Sequence, residues 1–243
     1  MPWKIRESAI NVFNATHLNL WNNDVEVIEN LSKFPNLMRL TLRSNNIRSL
    51  HGLNQGRSLR WVDLSANDIT DLHGAENMPC LEWLDLHSNN LKNVAGLNAC
   101  PRLTFLNMFD SDLVNLNGID ALYALRWFNA SNNNLKTIAG LEYCFYLSEV
   151  NLNNNDLSNE AEVRKLAHLP YLAQIDISNN DFPRDGANIV QYFQTVNPRC
   201  NIITNSPVPV GYNDGAGQAV NATQVQMGSR QQDSDNGGCC VLQ

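Results

Sequence analysis

The sequence has no Cys-x-x-Cys pair, no block of basic residues and no apolar run long enough to span a bilayer or to form the core of a secretory signal. Each absence removes a class of function. Without a long apolar run, neither a membrane span nor a cleaved leader is expected. Basic residues number 17 against 24 acidic ones, a net charge of −7. Phosphate neutralisation dominates nucleic-acid affinity, so nucleic acid is not an expected partner. The six cysteines, Cys80, Cys100, Cys144, Cys200, Cys239 and Cys240, form no cluster of the kind that caps extracellular repeat proteins with disulfides. A reducing, cytoplasmic setting follows, in which the sequons at Asn14, Asn129 and Asn221 carry little weight. Pro2 follows Met1, which excludes N-myristoylation of a second-position glycine. There is no phosphate-binding Gly-rich loop, no metal-spaced His/Cys cluster and no nucleophile elbow, so neither enzymatic chemistry nor a metal or cofactor is expected.

What the sequence does contain is a repeat. The pattern L-x-x-L-x-L-x-x-N-x-L begins at Ala15, Leu37, Leu59, Leu81, Leu103, Leu125, Leu147 and Leu172, with a spacing of 22 residues that lengthens to 25 at the last step. Eight in-phase matches define about eight structural units. Within LMRLTLRSNNI, Leu40 and Leu42 alternate at period 2 and share one face of a short strand. Stacked units make a parallel sheet whose inner face must be covered. Ile28, Leu50, Leu72, Val94, Leu116 and Ile138, followed by Leu31, Leu53, Ala75, Leu97, Ile119 and Leu141, provide that cover.

This pattern resembles the leucine-rich-repeat family, in the 22-residue subclass typified by a regulatory subunit of protein phosphatase 1, over roughly residues 15–204. The resemblance implies an α/β solenoid. Its features would be a horseshoe with a parallel concave β-sheet, short turns or 3-10 segments on the convex side, and a helical C-terminal cap.

Three further columns have physical meanings. An Asn column (Asn23, Asn45, Asn67, Asn89, Asn133, Asn155, Asn180) can satisfy backbone groups where the chain leaves each strand. Ser111 replaces Asn in the fifth unit, where the hydroxyl is expected to do part of the work and leave a looser turn. A Gly column (Gly52, Gly74, Gly96, Gly118, Gly140), with Asn30 in the first unit, indicates positive φ. Phe34, Met78, Cys100, Leu122 and Cys144, with Gly56, share a core position, which makes Cys100 and Cys144 packing residues rather than reactive thiols.

The ends depart from the pattern. Residues 1–14 are read as an N-terminal cap, with Ile5, Ile10, Val12 and Phe13 as its apolar contacts. NEAEVRKLAHL is read as a helix opened by Asn159, with Glu162 completing a capping box. Residues 186–196 form a second amphipathic helix stopped by Pro198, and 200–204 a last strand.

Outward-facing strand positions line the expected concave face. The third motif position reads His17, Arg39, Trp61, Trp83, Phe105, Trp127, Glu149, Gln174. At a strand spacing of ~4.8 Å, the four consecutive aromatics form a ladder about 15 Å long. The seventh position adds Trp21, Arg43, His87 and Phe109. Asp63 and Asp85 lie beside the ladder. A contiguous solvent-facing apolar strip marks an interaction site, and tryptophan is enriched among binding hot spots. A protein partner is therefore expected to contact Trp21, Arg39, Arg43, Trp61, Asp63, Trp83, Asp85, His87, Phe105, Phe109, Trp127 and Glu149, with this chain acting as a monomer. In the resembled phosphatase regulator, aromatic and acidic residues of the concave face contact the phosphatase, so a phosphatase-regulatory role is the alternative. His51 and His73 recur in Leu-His-Gly turns one repeat apart and are read as surface turn residues.

Residues 205–243 are read as a disordered polar tail ending in Cys239-Cys240-Val241-Leu242-Gln243. The final CVLQ fits a prenylation signal on Cys240, and the terminal Gln favours farnesyl. One chain gives only marginal attachment, so Cys239 is expected to add palmitate or a second prenyl group. The lipid would hold the protein at the cytoplasmic face of a membrane.

Overall fold

Two apolar residues spaced by one, followed three residues on by Asn in every unit but the fifth, fix each short strand and its exit turn. The structure is a computed structural model and describes residues 13–205 together with the strand at 239–241. Eight strands come from the eight motif copies: β1 His17–Asn19, β2 Arg39–Thr41, β3 Trp61–Asp63, β4 Trp83–Asp85, β5 Phe105–Asn107, β6 Trp127–Asn129, β7 Glu149–Asn151 and β8 Gln174–Asp176. β9 spans Asn201–Ile203 and β10 spans Cys239–Val241. They form one open sheet in the order β10-β1-β2-β3-β4-β5-β6-β7-β8-β9, with the paired neighbours parallel.

The register repeats without slippage, so that Arg39 pairs with Trp61, Trp61 with Trp83, Trp83 with Phe105, Phe105 with Trp127 and Trp127 with Glu149. A one-residue slip would turn every buried leucine to solvent, which is why the apolar pattern specifies register so strongly. The same in-register stacking converts motif positions into straight columns of like side chains.

One face of each strand packs inward. Leu40, Val62, Leu84, Leu106, Phe128 and Ile175 are no more than 2% exposed, as are the return-segment residues from Ile28 to Ile138 and from Leu31 to Leu141. Burying a leucine contributes about 1.5–3 kcal/mol, so this continuous core supplies most of the fold's favourable free energy. Single 3-10 turns at Leu31–Lys33, Leu53–Gln55, Leu97–Ala99, Ile119–Ala121 and Leu141–Tyr143 carry the chain back across the core. Gly52, Gly96, Gly118 and Gly140 of the predicted Gly column precede four of them at φ between 96° and 111° and Asn30 the first at 61°, while Gly74, at 102°, opens a plain turn in the third unit. Cys100 and Cys144 are buried as expected, and burial pushes their thiols up to about 11 and about 12 respectively. Cys200 is also buried.

The Asn column acts as the sequence implies. Asn67 Oδ1 accepts from the Ile47 amide, and its Nδ2 donates to the Leu42, Leu64 and Ser65 carbonyls. Asn45, Asn89, Asn133, Asn155 and Asn180 repeat this four-way junction between neighbouring units. Ser111 does not. Its Oγ is buried with no hydrogen-bond partner, so the expectation that the hydroxyl does part of the amide's work is corrected. A hydroxyl one bond from Cβ falls short of the carbonyls that an amide reaches.

The C-terminal cap contains two helices, α1 Glu160–Leu166 and α2 Ala187–Val196. Asn159 caps α1 by accepting from the Ala161 amide. Glu162 does not close a capping box on the Asn159 backbone. Its Oε2 instead accepts from Thr137 Oγ and the Ile138 amide of the preceding unit, which lie within its reach. Two expectations about the ends need correction. Phe13 is 67% exposed rather than packed, and its carbonyl accepts from Asn36 Nδ2. Cys239–Val241 is not part of an unstructured tail but lies parallel to β1, giving that edge strand the backbone partners an open edge lacks. Ile5, Ile10 and Val12 of the expected N-terminal cap, and residues 206–238 of the expected tail, lie outside the described residues.

Candidate protein-binding face

The sheet's open face is the concave face of the expected solenoid, and in-register pairing builds its central feature. Trp61 stacks on Trp83 with ring centroids 4.3 Å apart and planes 12° from parallel. Trp83 stacks on Phe105 at 4.7 Å and 9°, and Phe105 on Trp127 at 4.2 Å and 4°. All four rings are half-buried, because each covers its neighbour's face and leaves an edge exposed. No ring packs in the core. Such pairs contribute about 0.5–1.5 kcal/mol each beyond area burial, which makes the strip rigid before any partner arrives.

A second column lies beside it. Asn19, Asp63, Asp85, Asn107, Asn129, Asn151 and Asp176 each accept from the amide two residues on, tying strand to turn. This role is visible in sequence as an Asx-rich fifth position, and it commits the Asp63 and Asp85 side chains, expected as partner contacts, to the backbone as well. Asp63 and Asp85 are 9% and 6% exposed. Burial raises the Asp63 carboxyl above its ordinary range, opposed by hydrogen bonds from Ser65. Asp85 Oδ1 also lies 2.7 Å from His87 Nδ1, and that hydrogen bond outweighs desolvation to raise the His87 imidazole. His17 shifts the other way, lowered by burial and by Arg39.

The remaining predicted residues are distributed along the same face. Arg39 and Arg43 are exposed at the N-terminal end, and Glu149 is exposed at the other. Phe109 is half-buried. Trp21 is 59% exposed and stands outside the stacked ladder. Arg60 and Glu82 pair at 2.8 Å on the rim. The structure also shows an aromatic group that repeat reasoning missed. Tyr123, Phe145, Tyr146 and Tyr171 are 48–59% exposed in the turns that enter the strands. Tyr146 and Tyr171 stack at 5.6 Å, with Arg126 over Tyr146. Among the described residues there is no group of three or more His, Cys, Asp or Glu side chains placed to hold a metal, and no helix is long and apolar enough to cross a membrane.

No family model and no curated protein sequence matches the chain. Solved structures do. Internalin C2 of Listeria monocytogenes str. 4b F2365 superposes with a TM-score of 0.64 at 23% identity, covering 72% of this chain and 76% of that one. The internalin inlF of the same strain gives 0.65 at 22%, covering 80% of this chain and 52% of its own. The leucine-rich-repeat domain of APL1B gives 0.60 at 22%, covering 77% and 62%. At these identities the likeness is one of architecture, and together with the repeat, the parallel sheet and the 3-10 returns it identifies the fold as a leucine-rich-repeat solenoid.

Proposed function

We propose that this chain is a non-catalytic, monomeric adaptor that binds a protein partner on the open face of its sheet and is held at a cytoplasmic membrane surface by a lipid on Cys240. The observation that carries the binding face is the stacked ladder of Trp61, Trp83, Phe105 and Trp127. A rigid aromatic strip loses little entropy on association, and its ring edges present apolar area to a partner. The flanking Asx column is already committed to the backbone, so it fixes the strip without competing for a ligand.

Trp83→Ala combined with Trp127→Ala tests this. The double variant is expected to lose partner capture by roughly 30-fold or more while retaining the circular-dichroism spectrum of the wild type, since losing even one hot-spot aromatic costs about 2 kcal/mol. Undiminished capture by a folded double variant would remove the ladder from the interface.

The lipid is supported by the CVLQ motif. Strand β10 must leave β1 before an enzyme can hold this segment, so sheet pairing and modification are alternatives. Cys239 would supply a second lipid, palmitoyl or prenyl. Cys240→Ser should move the protein from the membrane to the soluble fraction of expressing cells. Persistent membrane fractionation would refute the anchor. The narrower role of a protein phosphatase 1-like regulatory subunit rests on the aromatic and acidic residue types of the open face. A purified catalytic subunit tests it directly, through binding and altered phosphatase activity.

A further inference from the structure

Within a stacked column each inner ring has both faces covered by rings, so only a terminal ring has a face that no other ring covers. Trp127 is the terminal ring on the C-terminal side. Phe105 covers one of its faces at 4.2 Å and 4°. The in-register neighbour on the other side is Glu149, one strand along. Among the described residues, no ring or cation stands over that second face, and the two cation–π contacts, Arg126 on Tyr146 and Arg164 on Tyr192, lie elsewhere. Glu149 is exposed and forms no ion pair among the described residues.

The surroundings match this chemistry. The open-face positions of β6, β7 and β8 and their exit turns carry Asn, Ser and Gln with Glu149 and Asp176, and no Lys or Arg. Arg39 and Arg43 lie at the opposite end, where Arg39 is the in-register neighbour of Trp61. The strand positions of the face are therefore cationic at Arg39 and Arg43 and anionic at Glu149 and Asp176, with Asp63 and Asp85 beside the aromatics and Arg126 on the rim over Tyr146.

The geometry points to a receptor for an arginine side chain of the partner protein, with its guanidinium continuing the ladder at the ring-free side of Trp127 and paired with the Glu149 carboxylate. This deepens the proposed binding face and rests on it. A planar guanidinium stacks on an indole and offers two parallel N–H donors to a carboxylate, whereas an ammonium does neither as well. Arg39 beyond Trp61 repels a cation at the other end, so one arginine also orients the partner along the ladder.

Selection of a random peptide library against the full chain, with counter-selection on Trp83→Ala, tests the assignment. Wild-type binders that depend on Trp83 are expected to share an arginine enriched several-fold over lysine. Glu149→Gln should remove that enrichment, and Glu149→Lys should replace arginine with acidic residues. Each selected peptide remade with citrulline in place of arginine should bind at least tenfold more weakly to the wild type and lose distinctly less on Glu149→Gln, where only the stacking on Trp127 remains. Trp83-dependent binders without arginine, or arginine enrichment that survives Glu149→Gln, would overturn this receptor and leave the aromatic face standing. A library yielding only binders indifferent to Trp83 would overturn both.

Discussion

Asn67→Ala is expected to destabilise the solenoid by about 3 kcal/mol, read as a lower midpoint in urea denaturation. Asn67 is 7% exposed and holds three adjacent segments through four hydrogen bonds. Its Oδ1 serves the buried Ile47 amide, while the Leu42 and Leu64 carbonyls also receive Asn45 and Asn89. Truncation therefore orphans one N–H, weakens three carbonyl contacts and leaves a small void. Each unsatisfied buried group costs about 1–3 kcal/mol. Stability in a repeat protein is a sum of units and nearest-neighbour interfaces, so the transition should also broaden as the two halves uncouple. The fifth unit supplies the opposite experiment. Ser111 stands at the same position with its Oγ unpartnered. Ser111→Asn restores the amide and should raise stability by about 1–2 kcal/mol. A loss of less than about 0.5 kcal/mol in the first variant would show that the amide column is not what couples the units. Destabilisation in the second would show that the fifth turn has closed around the smaller side chain.

The distribution of such sites explains what could be read in advance. Once Leu40 and Leu42 are placed on one face, a 22-residue period assigns every equivalent side chain, so the sheet, its register and the buried columns follow. The aromatic ladder follows too, because the third position of each strand aligns with the third position of the next. What period cannot supply is reach. Whether a Ser hydroxyl meets a carbonyl, or Glu162 turns to its own helix or to Thr137, depends on a few tenths of a nanometre of side-chain length and on the neighbouring turn. The Tyr146–Tyr171 pair lies in turns where no alternation assigns a face. Strand β10 escaped because three residues of backbone pairing leave little mark on side-chain pattern. The Asp85–His87 contact was visible as a spacing of two, but its burial beneath the ladder's flank was not. A further column is marked in the sequence by its Asn/Asp bias alone: Asn22, Ser44, Ala66, Ser88, Asp110, Asn132, Asn154 and Asn179 all adopt φ of 53–57°.

Gly74→Ala is expected to cost about 3 kcal/mol or more, and Gly140→Ala about 1–2 kcal/mol, although both glycines occupy the same repeat position. Their φ values are nearly equal, 102° and 99°, so the torsional penalty for an L side chain is the same. The surroundings differ. A Cβ on Gly74 would collide with the Leu50 carbonyl and stand 2.6 Å from the His51 nitrogen, all of it backbone. A Cβ on Gly140 would meet the Ile119 methyl at 3.0 Å, a side-chain atom that can give way, and Asp120 Cβ and N at 3.5 and 3.7 Å, ordinary contact distances. Asn30 shows the conformation a side chain adopts at this position, with φ of 61°. Gly74 can reach that value only by moving away from the preceding unit, which opens the stack between Leu50 and Leu72. The difference between the two variants therefore isolates the cost of inter-unit backbone contact from that of torsion. Thermal melting of the pair checks it, since 1 kcal/mol corresponds to about 2–4 °C in a domain of this size. Equal shifts would mean that torsion alone sets the glycine requirement and that the units are not packed backbone to backbone at Leu50.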